Sequence, residues 1–148
     1  MNGLRKFQTD RGLQLNKYLA IDAHANIIEE LMESIGLDIT KEKRGQLKDK
    51  LLRFVKELKE EGIAVQKYEA SYSTPIEEKV DAYADVIVFA HGEIMKLGYE
   101  PEQVLEQVSM EINSRVGTFV NGKFEKDLSP EAKENWLKAD FRGCKLHV

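Results

Sequence analysis

One stretch constrains this chain more than any other. It runs from Thr74-Pro75 to Gly98 and holds the apolar run Ala84, Val86, Ile87, Val88, Phe89, Ala90. Thr74, Pro75, Ile76 and Glu77 read as a helix start, with a threonine N-cap, a proline at the first helical position and a glutamate completing a capping box. Gly98 follows Leu97 as a helix stop. The stretch is therefore predicted to be one long helix with an almost wholly apolar middle. Two aspartates, Asp81 and Asp85, sit one turn apart on it. An ionised carboxylate on a buried helix face is costly unless it is paired or bound to a metal, so Asp85 is expected to have a partner.

The same punctuation divides the rest of the chain into helices. A first helix is expected over about 17–35, stopped by Gly36, with Ile27, Ile28, Leu31, Met32 and Ile35 at helical spacing. A second is expected over about 41–61, stopped by Gly62, with Leu47, Leu51, Phe54, Val55 and Leu58 as its apolar stripe. After the Thr74–Leu97 helix, a fourth should begin at Pro101 and end at Gly117. Phe119 to Phe124 reads as a hairpin, because Asn121-Gly122 suits a type I′ turn. Ser129-Pro130-Glu131 opens a short last helix to about Ala139, and the tail from Asp140 is irregular. The segment 63–73 is too polar for a strand and reads as a linker. The fold class is all-α, a four-helix arrangement with a small C-terminal hairpin. No composition shift marks a second domain, so 1–148 is read as one domain.

Composition narrows the function classes. A net charge of −4 over 148 residues speaks against a nucleic-acid partner. A single cysteine, Cys144, excludes an intrachain disulfide and a cysteine-based zinc site. No apolar run has the length of a membrane span, and the first ten residues lack the apolar core of a signal peptide. The expectation is a cytoplasmic protein with no membrane partner.

The acidic residues carry the chemistry. Glu78, Asp81 and Asp85 fall within an arc of about 60° on an ideal helix. Like charges this close repel, and a cation between them is favoured. Glu29, Glu30 and Glu33 form a second cluster on the first helix, with Asp22 and Asn26 on the same face. If the two helices pack antiparallel, the carboxylate sets face each other. Hard oxygen donors in that number suit Mg²⁺ or Mn²⁺, and magnesium points to a phosphate substrate. A solvated acidic face, or an Asp85 paired with lysine or arginine, would account for the same residues. His24, His91 and His147 are scattered. Trp136, Tyr83 and Phe89 could pack on a base, although core or interface packing explains them as well.

The order Glu29-Glu30-x-x-Glu33, then Asp81-Ala82-x-Ala84-Asp85-Val86-Ile87-Val88-Phe89, resembles the MazG-like all-α nucleoside triphosphate pyrophosphohydrolases. Other segments resemble the small branch of that superfamily often carried by bacteriophages: Phe7 to Leu13, Lys96 to Tyr99 followed by Pro101-Glu102, Glu111 to Gly117, Asn121 to Lys126, Trp136 to Phe141, and Cys144-Lys145. The resemblance covers most of the chain and is weakest over about 36–72, which reads as an inserted helix and linker. It implies Mg²⁺-dependent hydrolysis of a nucleoside triphosphate between the α- and β-phosphates, giving the monophosphate and pyrophosphate. Carried over residue by residue, it implies that Glu30, Glu33 and Asp85 bind metal and that Glu29 is a further ligand or water activator. Arg115 and Lys123 would clamp the phosphates, and Asn113 would bond phosphate or sugar. In much of the superfamily a glutamate stands where this chain has Ala82, so Asp81 would have to substitute. The connection from Glu33 to Asp81 is long, and Glu57, Glu60 and Glu61 within it form a rival first motif. A homodimer or homotetramer is expected, because the apolar helix faces look too broad for one thin bundle to bury.

Overall fold

The computed structural model of the chain describes residues 2–69, 74–120 and 123–147, the side chains of Asn2 and Lys123 excepted. The described chain is mainly helical. In order it contains α1 (Asn2–Asp10), α2 (Ala20–Glu33), α3 (Arg44–Glu60), α4 (Ile76–Lys96), α5 (Pro101–Ser114), β1 (Gly117–Val120), β2 (Lys123–Lys126) and α6 (Pro130–Glu134). Short 3₁₀ turns occupy Leu13–Leu15 and Lys41–Lys43. Two compact units result. One comprises residues up to 16 together with those from 80 onward, and the other residues 17–79.

In the unit 17–79, α2 packs against α3. Helix α2 begins three residues later than its apolar spacing predicts and ends two residues earlier. Its stop uses Gly36 at φ 80°, which lets the Leu37 amide donate to the Met32 carbonyl at 2.9 Å. Arg44 on α3 reaches Glu29 on α2, Nη1 to Oε2 at 2.7 Å, and Lys48 pairs with Asp22. The described part of the linker, 63–69, is irregular. Lys67 Nζ and the Tyr68 hydroxyl both donate to Glu78, at 3.0 and 2.5 Å.

In the other unit, α1 packs along α5. Asn113 Nδ2 donates to the Gly3 carbonyl at 2.9 Å and to the Ser109 carbonyl at 2.8 Å. Gly3 permits this approach, since a Cβ there would meet the Ser109 hydroxyl. The chain leaves α5 at Ser114, three residues before the expected stop. Gly117 instead opens β1, which pairs antiparallel with β2 from Gly117↔Lys126 to Val120↔Lys123. The hairpin expected over 119–124 is thus present and longer, while its Asn121-Gly122 turn lies outside the described residues. Ser129 caps α6 as its sequence predicts, accepting from the Ala132 amide at 3.2 Å, but the helix stops at Glu134 rather than near Ala139. Beyond it the chain is irregular and pins back on the α4–α5 turn. Glu100 donates its amide to the Cys144 carbonyl at 2.8 Å, and Leu146 donates to the Gly98 carbonyl at 3.0 Å. Cys144 is buried there.

Gly117 is a packing requirement. A Cβ at this position would collide with the Glu125 carbonyl oxygen and lie 2.8 Å from the Phe124 ring. Backbone cannot swing aside as a side-chain tip can. Gly117→Ala is expected to cost about 1–3 kcal/mol, the usual range for overpacking. Urea unfolding of the two proteins checks it, and an unchanged midpoint would contradict it.

Helix α4 departs from expectation. Its middle was expected to be buried, yet Val86, Ile87, Val88 and Phe89 are 41, 65, 64 and 73% exposed. Four successive residues point in four directions around a helix, so among the described residues no side of this turn is buried. Among the described residues, no helix is long and apolar enough to cross a membrane.

Candidate metal-binding carboxylates and a basic cleft

The expected carboxylates fall on helices with the spacing the sequence implies. Glu29, Glu30 and Glu33 lie on α2, and Asp81 and Asp85 lie on α4. The two sets belong to different units. Asp85 is exposed, not buried, because α4 is uncovered, so desolvation does not oblige it to have a partner. Asp81, Glu30 and Glu33 are exposed as well. Glu29 is half-buried and held by Arg44.

Glu78 is also engaged. The hydrogen bonds from Tyr68 and then from Lys67 hold its carboxyl below the usual carboxylate range. The rival residues Glu57, Glu60 and Glu61 lie at the exposed end of α3, where Glu60 meets Lys56 at 3.5 Å. Among the described residues, no group of three or more histidine, cysteine, aspartate or glutamate side chains is placed to hold a metal ion. The donor chemistry of these carboxylates fits Mg²⁺.

The expected phosphate-binding residues divide similarly. Asn113 ties α1 to α5 through its amide nitrogen, a structural role the sequence did not indicate. The side chain of Lys123 lies outside the described residues. Arg115 follows α5 and pairs with Glu111, whose second oxygen accepts from the Ala139 amide at 2.7 Å. Its guanidinium lies 5.7 Å from the Trp136 ring, so Trp136 is engaged in packing. Phe89 is exposed and Tyr83 half-buried on α4.

A cleft of about 410 Å³ opens beside Arg115, lined also by Phe7, Arg11, Phe124 and Lys126. Arg11 is 6% exposed. The guanidinium is sandwiched between Phe7 and Phe124, 4.3 and 4.4 Å from the ring centroids. Nη2 donates to the Ile112 carbonyl at 2.9 Å and also to the Arg115 carbonyl. Burial pushes the Arg11 pKa down, with neighbouring Asp10 opposing the shift. At neutral pH the group stays charged. Sequence reasoning did not assign Arg11 a role. The i, i+4 spacing of Phe7 and Arg11 was the available local signal.

Comparison with protein-family models, with curated proteins and with solved structures returns no match.

Proposed function

We propose that the chain is a Mg²⁺-dependent nucleoside triphosphate pyrophosphohydrolase that works as a homo-oligomer. The observation that carries this reading is the set of exposed carboxylates Glu30, Glu33, Asp81 and Asp85 on two helices, in the order that resembles the MazG-like enzymes. Hard oxygen donors are what a magnesium-bound triphosphate requires. Bound there, the metal would neutralise charge building on the phosphates. Of the chain's own groups, Arg115 supplies a planar donor for phosphate oxygens, and Glu29 supplies a carboxylate able to take a proton from water. While Glu29 holds Arg44 it is committed to that pair, so accepting a proton requires the pair to open.

A second reading is a non-catalytic helical module that binds a nucleotide or a protein. It is favoured by Ala82, which has no ligating atom where the resemblance calls for a glutamate, and by the absence among the described residues of three gathered metal ligands. A panel of canonical and modified nucleoside triphosphates, incubated with Mg²⁺ or Mn²⁺ and assayed for pyrophosphate release, separates the two. Turnover of at least one substrate is expected. Binding without turnover across the panel would favour the module.

A further inference from the structure

We propose that helix α3 is a strap that competes with a divalent cation for the acidic face of α2, so that cation binding on α2 and release of α3 are coupled. The inference rests on the reading of Glu29, Glu30 and Glu33 as metal-facing carboxylates, and it assigns a regulation to that face.

The two helices carry opposite charge. Helix α2 holds Asp22, Glu29, Glu30 and Glu33 and no lysine or arginine. Helix α3 holds six lysines and arginines against three acidic residues. Two ion pairs join them within the unit 17–79. Arg44, the first residue of α3, donates to Glu29 in the second half of α2, Nη1 to Oε2 at 2.7 Å. Lys48, one turn further along α3, meets Asp22 in the first turn of α2. The arginine pair is half-buried on both sides, so salt screens it less than a fully exposed pair.

Arg44 therefore stands where the metal reading needs a cation. A guanidinium and a divalent ion a few Å apart repel each other, and each draws on the same carboxylate charge. Arg44 must withdraw before Glu29 can give that charge fully to a metal.

Little besides charge holds α3 in place. Among the described residues none of α3 is buried, and α2 buries only Ala25. Leu47, Leu51 and Leu58 are half-buried, while Leu52, Phe54 and Val55 stay exposed. A helix with so few buried apolar contacts opens at low free energy. Turns and irregular chain flank it over 34–40 and 61–69, so α3 can shift without unwinding α2. Coupling of this kind is reciprocal. By the factor that Arg44 weakens metal binding, bound metal loosens α3.

The competing account is that these are ordinary ion pairs between packed helices, with no bearing on metal. To separate the two, the full chain is titrated with Mn²⁺, and free Mn²⁺ is counted by electron paramagnetic resonance. Amide hydrogen exchange over α3 is followed with and without saturating Mg²⁺. Arg44→Gln is expected to bind Mn²⁺ about threefold to fivefold more tightly than the parent, the size of effect that a part-exposed ion pair produces. Lys56→Gln makes the same charge change on the same helix at a residue that pairs within α3, with Glu60. It is expected to leave the affinity within about 1.5-fold, because exposed charges away from the site are screened. Mg²⁺ is expected to speed exchange of the α3 amides in the parent. Lys48→Gln is the second variant, should Arg44→Gln fail to fold. It loosens the strap without uncovering Glu29 and is expected to tighten Mn²⁺ binding about twofold.

Equal affinity in the parent and in Arg44→Gln would overturn the proposal and leave the metal reading standing. Equal tightening by Lys56→Gln would do the same, as would α3 exchange that Mg²⁺ leaves unchanged or slows. No Mn²⁺ binding at millimolar concentration in any of the four proteins would overturn this proposal and the metal reading together.

Discussion

On the proposed hydrolase reading, Asp85→Ala is expected to lower pyrophosphate release about a hundredfold or more while leaving the fold intact. The two halves of that expectation rest on different observations. Losing a ligand to a metal that neutralises phosphate charge removes several kcal/mol of transition-state stabilisation, which is two or more decades of rate. Asp85 is exposed on α4, one turn from Asp81. Removing one of two like charges at that spacing relieves a small repulsion, so stability should stay within about 0.5 kcal/mol of the parent. Glu30→Ala and Glu33→Ala should behave alike, whereas Glu57→Ala and Glu60→Ala should retain activity. Rate measurements with matched thermal melts decide the matter. If Glu57 or Glu60 proves essential and Glu30 and Glu33 do not, the first acidic motif has been placed on the wrong helix.

The second large effect concerns assembly. A helix that is apolar all round is ordinarily buried, yet Val86 to Phe89 are exposed in the single chain. Covering a residue such as Phe89 contributes about 1.5–3 kcal/mol, and α4 offers several such residues. A second copy of the chain can supply the cover, by pairing its own α4 against this one. The native protein is therefore expected to run as a dimer or tetramer in light scattering, and Phe89→Glu to shift it toward the monomer. A native monomer at tens of micromolar would rule out this mode of burial. An oligomer that survives both Phe89→Glu and Ile87→Glu would place the contact elsewhere.

Local chemistry was legible in the sequence. Gly36 and Gly98 end their helices at φ 80° and 87° as their positions imply, and Ser129-Pro130 starts one. The hairpin also follows from residues within a few positions of each other. What could not be read depends on distant partners. Helix α1 is polar and lacks a cap signal, and it lies where Asn113, more than a hundred residues away, holds the Gly3 carbonyl. The cleft joins Phe7, Arg115 and Phe124, and no window of sequence contains all three. The carboxylates could be assigned to helix faces, because that is a matter of period. Whether such faces meet depends on packing, which periodicity does not encode. The ion pair of Glu29 with Arg44 is of the same kind, because it needs α2 and α3 to be packed before it exists.

The pinned tail gives the protein an internal gauge. Cys144 is the chain's only thiol, and it is buried where Glu100 donates to its carbonyl on the α4–α5 turn. A buried thiol is shielded from alkylating reagents. Its labelling rate consequently reads how often the last residues peel away from Gly98 and Tyr99. Any event that tightens or loosens that turn becomes visible as a change in one chemical rate, without introducing a probe.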